Sequence, residues 1–170
     1  MTAATPAPMT LDEFNAADDA VVSALLAACL DIPEWVDAVR TRRPFPDVSG
    51  LRAHGAGQAA LITWDQVAGA LARHPRIGQR PTGDGVDARW SAGEQAGVRD
   101  DERDAFARAN AEYEQRFGFI FLICATGLSG EQMLAALRQR LHHDEEQERP
   151  VVITELGKIA ALRLERAVTA

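Results

Sequence analysis

Cysteine is scarce in this chain of 170 residues, which contains only Cys29 and Cys124. Both lie within apolar stretches, so we expect buried, reduced thiols and no disulfide framework. Two cysteines cannot complete a four-ligand structural zinc site without histidine partners, and His142 and His143 are adjacent rather than spaced along one helix face. The sequence therefore predicts neither disulfide bonds nor a metal site.

Positive charge and long apolar runs are also lacking. Lys and Arg number 18 against 25 Asp and Glu, a formal net charge of −7, whereas nucleic-acid binding needs a clustered basic surface. The longest strongly apolar run, Phe119 to Ala125, is far shorter than the roughly 20 residues that span a bilayer. The first ten residues, MTAATPAPMT, show no signal-peptide pattern. We expect a cytoplasmic protein that binds neither nucleic acid nor membrane.

Apolar residues recur at helical spacing along most of the chain, which predicts an all-α fold. Residues 1–9 are expected to form a disordered leader, and residues 10–170 a single compact domain of roughly eight helices. Ser49 is expected to cap one helix, and Pro150 to begin the last one after an acidic loop. Capping boxes mark three other helix starts: Thr10 with Glu13, Thr63 with Gln66, and Ser129 with Gln132.

The stretch from Ala72 to Gly97 leaves one helix, crosses a loop rich in Gly, Pro and Arg, and enters another helix at Ser91. His74 lies near its start, directly before Pro75. Histidine titrates near neutral pH, and reactive groups often lie on loops that rigid helices hold in place. The nearby Arg76 favours an anionic ligand, because a planar guanidinium matches a carboxylate. The alternative is a histidine that places its ring near the last carbonyls of a helix.

Glu94 and Gln95 lie in the first turn of the helix that begins at Ser91. Their side chains and the free backbone N–H groups there can form a polar wall of a pocket. The spacing also fits a capping box in which Glu94 bonds to the backbone N–H of Ser91. Spacing alone favours this structural role.

Arg163 falls in the middle of the apolar face of the last helix. That face is formed by Val152, Leu156, Ile159, Ala160 and Ala167. A buried guanidinium needs an anionic partner. The partner is either a carboxylate of the core or a substrate anion, and the sequence leaves both open.

Residues 117–125 form the one strand-like run, and no second run pairs with it obviously. We therefore predict an extended, buried connection, which is more often core than site. Its backbone N–H and C=O groups lie outside helices and need partners. A flat polar ligand could supply them.

Six ordered blocks of the chain together resemble the 2-oxo-4-hydroxy-4-carboxy-5-ureidoimidazoline (OHCU) decarboxylase family. The blocks are LDEFN at 11–15; Trp35 with RPF at 43–45; HPRIG at 74–78; SAGEQAG at 91–97; Asn110 and Tyr113 with FGF at 117–119; and ELGKI at 155–159 with LRL at 162–164. The chain departs from the family pattern at His143-Asp144, where Asn-Asp is usual, and at Ile120, where proline is common.

The resemblance implies a homodimeric, all-α carboxy-lyase that needs no cofactor. It would convert OHCU to (S)-allantoin and CO₂, the last step from urate to allantoin. His74 would be the general acid/base, and Glu94 the carboxylate that orients it. Substrate binding would fall to Pro75, Ser91, Gln95, Arg163 and the backbone of Phe119, Ile120, Phe121, Leu122 and Ile123.

Two other functions fit parts of the pattern. A hydrolase could use His74 and Glu94 to activate water, but the sequence shows neither a metal-ligand cluster nor a nucleophile beside a base. A non-enzymatic, all-α interaction domain would use His74 and Glu94 as helix caps and pair Arg163 internally. The stereochemistry of the allantoin formed from OHCU distinguishes the decarboxylase from the interaction domain. An enzyme would give (S)-allantoin, whereas the uncatalysed decarboxylation gives a racemate.

Overall fold

A computed structural model describes residues 7–72, 74, 76–79, 90 and 92–170. Eight α-helices have both ends within these residues: α1 (Leu11–Ala16), α2 (Asp19–Cys29), α3 (Pro33–Thr41), α4 (Val48–Ala59), α5 (Trp64–Leu71), α6 (Arg103–Phe117), α7 (Gly130–Arg140) and α8 (Glu145–Ala167). A 3₁₀ turn, Asp100–Glu102, leads into α6, and residues 90 and 92–94 are helical. The predicted all-α fold is confirmed. None of the described helices is both long enough and apolar enough to cross a membrane.

Several helix boundaries follow from the side chains expected to form them. At α1 the backbone N–H of Thr10 donates to Glu13 Oε2 at 2.8 Å, and that of Glu13 donates to Thr10 Oγ1 at 3.3 Å. Ser129 and Gln132 form the same reciprocal pair at α7. Gly118 ends α6 with a φ of +76°. The two predicted capping boxes are confirmed because each depends on contacts within one helical turn, and a glycine with a positive φ is a common end of a helix.

Two expectations at chain ends and caps are wrong. Helix α4 is capped by Asp47 rather than by Ser49, because the Asp47 side chain accepts a hydrogen bond from the N–H of Gly50 at 2.7 Å. Met9, expected in the leader, lies instead in a two-residue strand, β1 (Met9–Thr10), which pairs in parallel with β2 (Val168–Thr169). The remainder of the predicted leader up to residue 6 lies outside the described residues.

The last helix begins before Pro150 rather than at it. Asp144 and Gln147 form a capping box: the N–H of Gln147 donates to Asp144 Oδ1 at 2.8 Å, and that of Asp144 donates to Gln147 Oε1 at 3.0 Å. A proline inside a helix removes one backbone hydrogen bond. Here the capping box at Asp144 begins the helix, and Pro150 lies inside it. The acidic segment predicted as a loop, Asp144–Glu148, is therefore mostly helical.

Two hydrophobic cores lie on either side of the segment that follows α6. Helix α8 packs against α2, α4 and α5 in the first core, and α6 packs against α7 in the second. Side chains of the intervening segment alternate between the cores. Ile120, Leu122 and Cys124 pack against the first core or belong to it. Phe121, Ile123 and Ala125 belong to the second. This period of two is that of extended chain, as the sequence predicted.

Candidate active site

His74 follows α5 and continues its last turn. The backbone N–H of His74 donates to the carbonyl of Leu71 at 3.1 Å. Helix α5 ends at Leu71, so His74 lies on the segment that directly follows a helix, as expected. Its neighbour Pro75, predicted to contact substrate, lies outside the described residues.

Helix α6 holds the loop after His74. Asn110 donates from Nδ2 to the carbonyl of Ile77 at 2.8 Å, and Arg103 donates from Nη1 to the carbonyl of Gly78 at 2.6 Å. The N–H of Gly78 donates in turn to Oε1 of Gln95 at 3.0 Å. These bonds fix residues 77 and 78 against both α6 and the turn that carries Gln95.

Arg76 does not supply the free cation that its place in the sequence suggested. Its guanidinium forms a two-pronged ion pair with Glu114 of α6, with Nη2 to Oε2 at 3.0 Å. The pair raises the pKa of the guanidinium above its ordinary value, chiefly through the hydrogen bonds from Arg76 to Glu114. Arg76 therefore fastens the loop to α6 and does not line the cavity described below.

Arg163 and Glu94 form a buried, bidentate ion pair. Arg163 donates from Nε to Glu94 Oε1 and from Nη2 to Oε2, both at 3.0 Å, in the parallel geometry that a guanidinium and a carboxylate favour. The exposed fractions are 5% for Arg163 and 8% for Glu94. Nη1 of Arg163 also donates to the carbonyl of Ala28 at 3.2 Å. The sequence predicted a buried arginine with an anionic partner, and the partner is the proposed catalytic carboxylate.

The capping-box interpretation of Glu94 involves Ser91, which lies outside the described residues. Both carboxylate oxygens of Glu94 are already bonded to Arg163. A carboxylate accepts about four hydrogen bonds, so Glu94 retains capacity for a further donor such as an imidazole N–H.

The side chains singled out from the sequence converge on one small cavity. Six of the predicted residues line it: His74, Glu94, Gln95, Leu122, Ile123 and Arg163. Ile77, Ala125 and Ile159 complete the described part of the wall. Its volume is about 20 Å³, which is room for roughly one water molecule. The wall combines an imidazole, an ion pair and a side-chain amide with apolar surface.

Three of the residues predicted to bind substrate do not line this cavity. Phe119 packs its ring 4.7 Å from that of Trp64 and Phe121 packs 5.3 Å from that of Tyr113, measured between centroids. Ile120 packs against the first core. The extended segment alternates between the two cores, so only Leu122 and Ile123 of the predicted run reach the cavity wall.

Both cysteines are free thiols in the structure; Cys29 is buried as expected, whereas Cys124, also expected to be buried, is only partly so. Cys29 has 1% exposure, and burial raises its pKa to about 12. Burial also raises the pKa of the half-buried Cys124. A thiol with a raised pKa is a poor nucleophile at neutral pH, so neither cysteine suits covalent catalysis.

Sequence reasoning missed Arg166, which lies one turn beyond Arg163 on α8. Its Nη1 is 3.5 Å from Oε1 of Glu94, so two arginines approach the same carboxylate. The spacing of three residues was the available signal, because such residues share a helix face. Reasoning from sequence also missed the buried pair of Arg140 and Glu148.

Comparison with known proteins places this chain in a family. The family model described as OHCU decarboxylase matches residues 15–165. The chain is similar to a 2-oxo-4-hydroxy-4-carboxy-5-ureidoimidazoline decarboxylase from Amia calva, at 36% identity over 78% of this chain and 79% of that protein. It is also similar to one from Haloferax volcanii, at 27% identity over 92% and 94% respectively.

A solved structure shares the fold. It is an OHCU decarboxylase crystallised in the presence of (S)-allantoin, with a TM-score of 0.70 over 87% of this chain and 96% of that one. At 23% identity, this likeness bears on the fold alone.

Proposed function

The chain belongs to the OHCU decarboxylase family of carboxy-lyases, and from this premise we propose that it converts OHCU to (S)-allantoin and CO₂ at the end of the conversion of urate to allantoin. One observation supports this most strongly. His74, Glu94 and Arg163, which are far apart in sequence, line the same cavity. Glu94 and Arg163 also form a bidentate ion pair.

The chemistry of the substrate sets what the protein must do. OHCU carries its carboxylate on a carbon that also bears a hydroxyl and lies beside a ring nitrogen. Breaking the bond to CO₂ leaves an electron pair that the imidazoline ring can delocalise, so the reaction needs no cofactor as an electron sink. The protein must stabilise that carbanion-like state and deliver a proton to one face of the carbon.

The cavity supplies a residue for each task. Arg163 binds the substrate anion, and His74 takes the hydroxyl proton or protonates the carbon, a contribution typically worth ~10²–10⁴-fold. Glu94 orients the imidazole. The Oε1 of Gln95 is bonded to Gly78, so its amide NH₂ is the part left to bind a carbonyl of the substrate.

Substrate must widen the cavity to enter. Small-molecule sites typically measure roughly 300–1,000 Å³, and this cavity measures about 20 Å³. The Arg163–Glu94 pair occupies its wall. We expect the substrate carboxylate to replace Glu94 as acceptor for part of the Arg163 guanidinium. The Glu94 oxygens are then available to accept a hydrogen bond from the His74 ring.

The internal pairing of Arg163 is also what the non-enzymatic alternative predicted. Family membership decides between the two in favour of the enzyme. The Arg163–Glu94 ion pair is then the arrangement of these two side chains before substrate binds.

Freshly generated OHCU provides the test, followed by circular dichroism at the wavelengths where allantoin is optically active. The wild type is expected to give (S)-allantoin well above the uncatalysed rate, and His74→Ala to lower kcat by ~10²–10⁴-fold. His54→Ala is the matched control. Its ring bonds the carbonyl of Ala38 at 3.0 Å and does not line the cavity. Racemic product from the wild type would contradict the function, and full activity of His74→Ala would contradict the role of His74.

A further inference from the structure

A fully buried carboxylate lies in the first turn of α8, outside the cavity. Oε1 of Glu148 accepts hydrogen bonds from the Tyr113 hydroxyl at 2.5 Å and from Nε and Nη2 of Arg140 at 2.7 and 2.5 Å. Its Oε2 lies 2.8 Å from Nδ1 of His143. The Arg140 guanidinium also lies 4.6 Å from the centre of the Phe121 ring. This network joins α6, α7 and α8.

Fold stability does not by itself account for such a network. Removing two charges from water is costly, and apolar residues of similar size are often as stabilising as a buried ion pair or more so. Removing a single partner is different, because it leaves an unpaired buried charge. We therefore look for the role of this network in the parts of the protein that it holds in place.

Arg140 holds the backbone of the cavity wall. Its remaining nitrogen, Nη1, donates to the carbonyl of Leu122 at 2.7 Å. Two residues on, the N–H of Cys124 donates to Oε2 of Glu155 at 2.8 Å. Residues two apart face the same way in extended chain, so both bonds hold the same edge of the segment. The N–H and C=O of Ile123 then lie along the opposite edge.

We propose that Arg140, held by Glu148, is a positioning residue for substrate binding. By fixing the Leu122 carbonyl it sets the register of the segment. The polar backbone groups of Ile123 are thereby presented to the flat amide edge of the ligand in the cavity that Leu122 and Ile123 line. This inference rests on the proposed function.

The test replaces the network with apolar residues instead of breaking it. The variant Tyr113→Phe/Arg140→Met/Glu148→Leu leaves no buried charge among these three residues, so it is expected to fold, with a melting temperature a few degrees below that of the wild type because the buried Leu122 carbonyl loses its donor. The matched control is Arg138→Met, an exposed arginine on the same helix. Both are compared with the wild type in steady-state kinetics with OHCU and in amide hydrogen exchange of residues 120–125.

We expect the apolar variant to raise KM for OHCU about tenfold, the equivalent of roughly one net hydrogen bond, with a much smaller change in kcat. Backbone contacts made equally in the ground and transition states affect KM. Hydrogen exchange in residues 120–125 should also accelerate, by about tenfold on the same grounds. Arg138→Met should change neither quantity.

The outcomes separate the two proposals. An active wild type together with a folded variant of unchanged KM, or of unchanged exchange in residues 120–125, overturns the positioning role and leaves the proposed function intact. If the apolar variant does not fold, Arg140→Lys is measured in its place, since it keeps a charge for Glu148. An unchanged KM in that variant overturns the role equally. A wild type that does not turn over OHCU overturns the proposed function, and this inference with it.

Discussion

At the residue scale, burial decides which reactive groups can act. Arg163 and Glu94 are buried but paired with each other, and the pairing offsets part of the cost of removing two charges from water. Cys29 is equally buried and lies close enough for the charges of both to influence its pKa. Its thiol is therefore neutral at physiological pH. The acid/base group that we propose for this cavity is the imidazole of His74.

The pKa of Cys29 makes a prediction for alkaline conditions. Burial raises it from 9.0 to about 12, so between these values the unfolded chain loses a proton that the folded chain keeps. The free energy of unfolding should be unaffected by this group below about pH 8 and fall above pH 9, by ~1.4 kcal/mol per pH unit. Urea unfolding of the wild type and of Cys29→Ala between about pH 8 and 10.5 measures this fall in the free energy of unfolding.

The comparison uses the change in the free energy of unfolding per pH unit. It does not use the absolute free energy of unfolding, because Cys29→Ala also leaves a small cavity that lowers it at every pH. The variant should lose less stability per pH unit above about pH 9 than the wild type. Parallel slopes in the two proteins would show that the thiol ionises normally in the folded state.

At the scale of elements, the loop that carries His74 depends on a glycine. Gly78 has a φ of +88°, and a Cβ atom there would lie 2.9 Å from Cβ of Phe106 on α6. Its N–H and C=O are both bonded, to Gln95 and Arg103. The loop can approach α6 this closely only because residue 78 has no side chain.

Gly78→Ala should therefore destabilise the protein by roughly 1–3 kcal/mol and lower activity, because the loop must move away from α6. Urea unfolding and turnover of OHCU measure the two effects. Gly69→Ala is the matched control on α5, where an added Cβ atom would meet nothing within 4 Å. That change should stabilise by roughly 0.5–1 kcal/mol, since alanine favours a helix interior. Effects of the same sign in both variants would contradict this account of the loop.

At the scale of the whole molecule, local features were predictable from the sequence and distant pairings were not. The capping box of Thr10 and Glu13 depends on neighbours within one turn. The burial of Arg163 follows from the helical period. Nothing local identifies Glu94 as its partner, because any carboxylate of the core would satisfy the same arginine. The bond from Arg140 to Leu122 is equally invisible, since it depends on how α7 packs against an extended segment.

The short parallel pairing of β1 and β2 joins the two ends of the described chain. It brings Thr10, directly before α1, beside Thr169, which follows α8, the helix that carries Arg163. The homodimer implied by the family resemblance stays a prediction.

The central claim is that His74, Glu94 and Arg163 act on one ligand in one cavity. A crystal structure of the protein with (S)-allantoin bound tests it most directly. We expect allantoin between these three side chains and the backbone of Ile123, with the Arg163–Glu94 pair opened toward the ligand. Allantoin bound elsewhere, with that pair intact and the cavity no wider, would contradict the account.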